Sequence, residues 1–264
     1  MVSTNPLIAP PPKEVPLKKA PLVRVIAQVR FPLITSIENQ IFIGSFQEAI
    51  RNKYPILQPE QTRSFVLASQ GIMQTEQVTW RFVNAEGNWR VSLAPEFIAL
   101  ETTAYTSRSD FLSRLKYILT ALNEHIKPNI VQRFGIRYID RLVGQSVKDI
   151  SKLVRPEIAG ITALEFAEHI DQSLTESWFT MPEREDLIIA RWGLVPPNTT
   201  FDPNAIEPLN EHSWILDLDM SLTKQRDFNV DALMIEGQGF TEKIYTFFRW
   251  AVTADFLIHF GGEP

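Results

Sequence analysis

The sequence predicts an α+β protein in which antiparallel sheet carries helices packed on one face. A β-rich segment of the same character occurs twice, at 23–33 and at 132–142, and aligning the two copies places Arg24 on Arg133. Each copy leads into an amphipathic stretch that ends at a proline, and then into three strand candidates and a long helix. Together these observations predict two pseudo-repeats of the order β-α-β-β-β-α.

The repeat also predicts how the chain is divided. Residues 1–20 hold five prolines and three lysines, which is typical of a disordered, polyproline-like arm. Residues 21–130 form the expected first half and residues 131–264 the second, and we expect the halves to pack as one globular unit. We expect the arm to be dispensable for folding because it offers little apolar surface to bury.

In the first half, apolar residues alternate with polar ones along the first copy, which is typical of a half-buried strand. The further elements expected here are a helix over 45–53, strands over 64–70, 77–84 and 88–105, and a helix over 109–126. Pro95 must bend or break the long third strand. Ser107 and Asp110 have the spacing of a capping box at the start of the last helix.

The second half repeats this order with one additional helix. The expected elements are a strand over 132–142, helices over 146–153 and 162–172, strands over 176–181, 187–195 and 214–222, and a final helix over 241–260. Ser146 is expected to cap the first of these helices. The loop 196–211 is long enough to be a candidate functional loop. Gly237 and Gly239 are expected to form a turn before the final helix.

Composition excludes several classes of function. The formal charge is −5 with a pI of about 5.5, so the general basic footprint of a nucleic-acid binder is missing. Cysteine is absent, which excludes disulfides, thiolate catalysis and cysteine-ligated metal sites. Prolines interrupt any apolar run near the N-terminus, so neither a signal peptide nor a membrane span is expected there. A cytoplasmic location is the default expectation.

Polar side chains on the predicted strands are the candidate binding residues. They comprise Arg133, Arg137, Arg141 and Asp140 in the second copy, and Arg24 and Gln28 in the first. The three arginines of the second copy recur at odd spacings, so they share one strand face. Neighbouring guanidinium groups can hold phosphate oxygens bidentately. A phosphorylated ligand is therefore one expected binding partner.

Asp217 and Asp219 are the candidate metal ligands. Two carboxylates at i and i+2 project from one strand face, about 6–7 Å apart, and suit an oxygen-liganded cation such as Mg²⁺. The alternative is that these carboxylates pair with arginines on adjacent strands and bind nothing. The four histidines have no zinc-binding spacing, and no P-loop, dinucleotide fingerprint or nucleophile elbow is present. No cofactor is expected unless the magnesium alternative holds.

The final helix is densely aromatic, with Tyr245, Phe247, Phe248, Trp250, Phe256 and Phe260 around it. This pattern indicates burial on several sides, and a homodimer through the C-terminal helix is a further expectation. Changing Phe248 to Asp is expected to abolish soluble folding or to dissociate such a dimer.

The segments RFGIRYIDRL, RWGLVPP, SWILDLDM and YTFFRWAVTADFLIHFGG resemble, in order and wording, a family of sporadically distributed bacterial and archaeal proteins of about this length. The resemblance covers about 21–262 and omits the arm. It implies no activity, cofactor or catalytic residue. Its sporadic distribution implies an association with antiviral-defence or toxin–antitoxin loci.

Two hypotheses about function follow. The first is a non-enzymatic binding protein that recognises a partner protein or a phosphorylated ligand. The second is a metal-dependent phosphoester-processing enzyme in which Asp217 and Asp219 act with Arg133 and Arg137. The two hypotheses differ in whether these groups converge in a concave pocket.

Overall fold

The α+β class is confirmed: nine strands form an antiparallel sheet on which helices pack. The computed structural model describes residues 5–68, 71–181 and 185–264. For residues 62–68 and 71–77 it describes the backbone only. Among these residues, no helix combines the length and the apolar character that crossing a membrane requires.

The elements are numbered along the chain. The strands are β1 (Leu22–Arg30), β2 (Ile56–Ala68), β3 (Gly71–Val83), β4 (Trp89–Ala94), β5 (Phe97–Thr102), β6 (Ile130–Val131), β7 (Arg133–Val143), β8 (Ser173–Thr180), β9 (Asp186–Val195), β10 (Ser213–Leu222) and β11 (Arg226–Asp227). The helices are α1 (Gln40–Ile50), α2 (Arg108–His125), α3 (Gln145–Lys148), α4 (Ile150–Leu153), α5 (Pro156–Ala159), α6 (Val230–Ala251) and α7 (Ala254–His259). Short 3₁₀ turns cover Thr35–Glu38, Gly160–Ala163 and Ala167–His169.

The strand order of the large sheet is β2-β3-β4-β5-β1-β7-β10-β9-β8, and β11 and β6 form a separate small pair. The chain divides into two compact units, one made of 1–25, 136–222 and 238–264 and the other of 26–135 and 223–237. Strands β7, β8, β9 and β10 position the candidate site. In their register, Asp217 of β10 lies opposite Arg191 of β9, and Arg191 lies opposite Glu176 of β8.

Pro95 does break the long strand expected over 88–105. It separates β4 from β5, which pair as a tight antiparallel hairpin, so four strands rather than three lie between α1 and α2. The expected cap of α2 is confirmed, because the backbone N–H of Asp110 donates to Ser107 Oγ over 3.1 Å. Of the expected strand 64–70, residues 69 and 70 lie outside the described residues.

Two expected helices and one expected helix cap in the second half differ from the structure. The expected helix 162–172 is replaced by two 3₁₀ turns, and the expected helix 146–153 is split into α3 and α4. Ser146 does not cap a helix, because it lies inside α3 and its hydroxyl contacts His259 Nε2 at 3.0 Å. Short helices are marginal without a long apolar stripe, and neither stretch has one.

The end of the chain also differs from the prediction. Gly237 and Gly239 lie inside α6 and form no turn. Burial of apolar side chains on α6, such as Phe240 and Phe247, outweighs the helix-breaking tendency of two glycines. The expected helix 241–260 is interrupted after α6, where Thr253 caps α7 by accepting from the backbone N–H of Phe256 over 3.2 Å.

Each unit has its own aromatic packing between helix and sheet. In the unit that contains α1, the rings of Phe46 and Phe82 meet edge to face with centroids 5.6 Å apart. In the other unit, which holds the part of α6 from residue 238 onward, Phe179 of β8 packs against Phe247 with centroids 5.6 Å apart. Because Phe179 faces α6, the alternate residues of β8 point to the opposite face of the sheet.

The described part of the N-terminal arm runs along α6 and the end of the chain. The backbone N–H of Val15 donates to the hydroxyl of Tyr245 over 2.8 Å, and that of Lys19 donates to the carbonyl of Phe260 over 3.1 Å. Arg249 Nη1 donates to the carbonyl of Lys13 over 3.1 Å. These hydrogen bonds hold the arm at several points along its length.

Candidate functional site

A row of charged side chains crosses four strands of the sheet. Arg137 of β7 binds Asp217 of β10 bidentately: Nε donates to Oδ1 over 2.8 Å and Nη2 donates to Oδ2 over 2.9 Å. Arg191 of β9 donates from Nη1 to Oδ2 of the same carboxylate over 3.1 Å. Glu176 of β8 accepts from Arg191 Nε. We call these four residues, together with Asp202, the charge ladder.

Asp202 joins the ladder from the loop 196–211. Its Oδ2 accepts from Arg137 Nη1 over 2.7 Å, and the ring of Phe201 lies 5.8 Å from the Arg137 guanidinium. The loop is held in place by its own turns and by the buried side chains of Ala205 and Ile206. The loop that was a functional candidate therefore contacts Arg137 through Asp202 and Phe201.

Burial decides the electrostatics of the ladder. The side chain of Asp217 is 0% exposed and that of Arg137 is 16% exposed. Burial alone would lower the pKa of Arg137, but the hydrogen bonds and charges of Asp217, and then of Asp202, raise that pKa well above its usual range. Arg137 is therefore permanently charged. Its buried charge and the charges of its carboxylates stabilise one another, and removing either partner would leave the other uncompensated.

The outer end of the ladder is more exposed. The hydrogen bond from Trp178 Nε1, followed by that from Arg191, holds the pKa of the Glu176 carboxyl below its usual range. Burial opposes the charge of Arg191, but hydrogen bonds and charges from Glu176 and Asp217 raise the pKa of its guanidinium. Both groups of this outer pair are thus charged around neutral pH.

The ladder has little capacity to bind an anion. It contains two guanidinium groups and three carboxylates, and each guanidinium donates to two of those carboxylates. A phosphate group would have to displace a buried carboxylate that is already bound bidentately, and buried pairs are costly to break. Arg137 and Asp217 pair with each other across the sheet, which is the alternative stated for the aspartates in the sequence analysis.

Asp217 is also poorly placed to hold a metal ion. Both of its oxygens accept from guanidinium groups, so a cation there would have to displace two arginines. Asp219, two residues along β10, is partly exposed. Within the described ranges, no group of three or more potential ligands (His, Cys, Asp or Glu) is close enough together to hold a metal ion.

The other arginines of β7 have separate surroundings. The guanidinium of Arg133 lies over Gly135, so that a Cβ atom added to this glycine would stand 2.9 Å from it. Burial lowers the pKa of Arg141, whose Nε has no hydrogen-bond partner among the residues that the structure describes. Arg24 and Gln28 are partly exposed positions of β1.

Asp140 is buried on β7, with 6% of its surface exposed. It alternates with Arg137 and Arg141 along the strand, so its side chain leaves the opposite face of the sheet from theirs. Burial raises the pKa of its carboxyl to about 7. The protonation of Asp140 therefore changes near neutral pH, independently of the ladder.

Three ladder residues were not among the predicted site residues: Arg191, Glu176 and Asp202. Arg191 and Glu176 lie on strands that were predicted. The apolar neighbours of Arg191, Ala190 and Trp192, could have assigned it to a polar face, whereas Glu176 stands between Thr175 and Ser177 and has no such signal. Only the order of the strands brings Arg191 beside Asp217 and Glu176 beside Arg191. Asp202 has no sequence signal beyond its position in a long loop.

The chain was also compared with known proteins. No family model and no curated protein matches it.

Proposed function

We propose that this protein is a non-enzymatic binding protein that takes up an extended, basic segment of a partner protein along β8. The single observation that carries this proposal is that β8 is an edge strand with exposed apolar side chains. An open edge can pair its backbone with an added strand, which is a common mode of peptide recognition. The ladder supports a protein partner over a phosphorylated ligand, because its arginines are already bound to carboxylates.

Strand β8, with the sequence SLTESWFT, lacks lysine and proline, two of the residues with which proteins often protect an edge. On the face opposite α6, Leu174 is 39% exposed and Trp178 is 63% exposed. These side chains can contact alternate residues of an added strand.

The segment that precedes β8 in the chain carries further exposed apolar side chains. Ile161, Leu164 and Phe166 are each about half exposed, at 50%, 46% and 47%. Exposed apolar residues that cluster along one stretch indicate an interaction surface more strongly than scattered ones do. We call residues 161–178 the β8 surface.

Charge indicates the chemistry of the partner. From 156 to 182 the chain contains carboxylates but neither lysine nor arginine; the carboxylates are Glu157, Glu165, Glu168, Asp171 and Glu176. All five are exposed residues. An acidic and apolar surface beside an open edge favours a strand in which lysine or arginine alternates with apolar residues.

The decisive experiment uses two synthetic peptides that alternate valine with lysine or valine with glutamate. We expect the lysine peptide to slow hydrogen–deuterium exchange of the β8 amides and the glutamate peptide to leave it unchanged. Binding should weaken as salt rises, because exposed charges are screened. Equal protection by both peptides, or protection confined to other strands, would contradict the proposal.

A matched pair of variants tests the location. Trp178→Lys places a cation on the β8 surface, whereas Ile258→Lys places one on α7, where Ile258 is similarly exposed at 60%. We expect the first variant to lose peptide binding and the second to keep it, both with parental melting temperatures. Loss of binding in both variants would show that the effect is not specific to the β8 surface, and would contradict this location of the peptide.

We propose further that the partner is the product of an adjacent gene in an antiviral-defence or toxin–antitoxin locus. This step rests on the family resemblance of the sequence. The test is whether tagged parental protein co-purifies with a neighbouring gene product while Trp178→Lys does not. Co-purification that survives this change would assign the partner to another surface.

Two other expectations stay proposals. A duplication is supported by the strand order, because β1 and β7 are neighbours and are flanked by β5 and β10, the last long strands before α2 and α6. It predicts that 22–125 superposes on 133–251 with β1 on β7.

A homodimer through the C-terminal helix has less apolar surface available than the sequence suggested, because Phe240, Phe247 and Phe256 are buried within the chain.

A further inference from the structure

A cavity of about 270 Å³ lies between the N-terminal arm, α6 and the ends of strands β9 and β10. Liquid water occupies about 30 Å³ per molecule, so the cavity has room for a small organic molecule of the size of about nine waters. All of its lining residues belong to one compact unit, and none belongs to the charge ladder or to the β8 surface.

The walls of the cavity are largely apolar. The arm contributes Leu7, Ile8 and Pro11, the sheet side contributes Met181 and Met220, and α6 contributes Phe240. Methionine side chains are flexible and polarisable, and they adapt to ligands of varied shape. A mostly apolar lining with a few charged groups is typical of small-molecule sites.

The width of the cavity depends on Gly239. This glycine lies in the interior of α6, where glycine costs about 1 kcal/mol relative to alanine. A Cβ atom added to it would have no heavy atom within 4 Å outside the helix itself, so the space above it is open. The glycine therefore enlarges a space that an ordinary side chain would fill.

The charged residues of the lining favour a cation. They are Asp186, Glu242 and Lys243, which gives two carboxylates against one ammonium group among the described lining residues. Asp186 is 3% exposed, so its carboxyl group lies where water screens charges least. Lys243 Nζ lies 3.3 Å from the carbonyl of Ala9 and donates to the arm.

We propose that this cavity binds a small organic amine with an apolar body, whose ammonium group lies toward Asp186 and Glu242. The arm forms one wall, through Leu7, Ile8 and Pro11, and so contributes to the site. This inference is independent of partner binding at β8, and either proposal can fail without the other.

Three probes of equal length test the proposal by thermal shift on the full chain: 1-hexylamine, 1-hexanol and hexanoate. We expect 1-hexylamine to raise the melting temperature, 1-hexanol to raise it less, and hexanoate not to raise it. The absence of a shift with 1-hexylamine, or an equal or larger shift with 1-hexanol or hexanoate, would overturn the proposal.

Two helix glycines provide the matched variants. Gly239→Leu fills the cavity and should abolish the shift with 1-hexylamine. Gly44→Leu makes the same change on α1, also with no neighbouring atom within 4 Å of the added Cβ, and should keep the shift. Glu242→Gln, at a partly exposed helix position, should reduce the preference for the amine over the alcohol. An unchanged shift in Gly239→Leu would exclude this cavity as the site.

Discussion

Arg137 holds both carboxylate oxygens of Asp217, with hydrogen bonds of 2.8 and 2.9 Å, although the two residues are 80 positions apart in the sequence. The pair is the centre of a ladder that reaches from β7 to β8. Asp217 also accepts from Arg191 Nη1, and Arg137 also donates to Asp202. The arrangement is that of a structural network.

Replacing Arg137 by alanine should destabilise the protein strongly. The change leaves the fully buried carboxylate of Asp217 with one guanidinium instead of two, and breaking a buried pair costs about 3–5 kcal/mol. For a chain of this size that corresponds to a fall of roughly 6–15 °C in melting temperature. Arg30→Ala, which breaks the exposed pair with Glu96, should cost about 0–1 kcal/mol. Similar melting temperatures for the two variants would show that the buried pair of Arg137 and Asp217 does not stabilise the protein.

Asp140 should make stability depend on pH near neutrality. Its pKa is about 7 in the folded protein and 3.8 for the ordinary group, so the folded state binds more protons between these values. Stability should therefore fall as pH rises from about 4 to about 7 and then level off. Asp140→Asn removes the charge, so it should raise the melting temperature more at pH 8 than at pH 5 relative to the parent. An equal effect at both pH values would show that Asp140 does not titrate in this range.

Deleting residues 1–19 should lower the melting temperature. The sequence predicted a dispensable arm, but hydrogen bonds to Tyr245, Arg249 and Phe260 and the packing of Leu7 and Ile8 favour a stabilising one. At about 1 kcal/mol for each hydrogen bond, we expect a fall of roughly 5–10 °C.

The arm prediction has its own internal control. Tyr245→Phe removes the hydroxyl that accepts from Val15, so it should destabilise the full chain and have little effect in the shortened one. Equal effects of Tyr245→Phe in both backgrounds would show that this contact does not hold the arm.

Replacing each of two glycines by alanine should have opposite effects on the free energy of unfolding. Gly44→Ala on α1 meets no atom within 4 Å and should stabilise the protein by about 0.5–1 kcal/mol. Gly193→Ala should destabilise it, because Gly193 has a φ of 142° and the added Cβ would stand 1.8 Å from the carbonyl oxygen of Ser173. Chemical denaturation of both variants measures the difference, and stabilisation by Gly193→Ala would show that β8 and β9 do not approach closely there.

Local patterns were enough to predict much of the fold. Alternation located most strands, the spacing of Ser107 and Asp110 located the start of α2, and Pro95 marked the break between β4 and β5. These signals are local, since each depends on the geometry of a few adjacent residues. The sequence failed where packing decides, as at Gly239, where burial of the flanking side chains keeps the helix intact.

The charge ladder was harder to predict because the residues that pair in it are far apart in the sequence. The arginines of β7 were identified as a polar face, but nothing in the sequence shows that β10 lies beside β7. Strand order alone joins Arg137 to Asp217 and Asp217 to Arg191. Asp202 depends on a loop conformation that has no periodic signal.

The ladder also has a consequence for how the chain folds. Its links join residues that are 15, 26, 65 and 80 positions apart, from Glu176 with Arg191 to Asp217 with Arg137. The entropy lost on closing a loop grows with its length, so the hairpin of β8 and β9 can form before β7 joins. We therefore expect the side chain of Arg137 to be bound late, after the transition state. Arg137→Ala should accordingly speed unfolding while leaving the refolding rate almost unchanged.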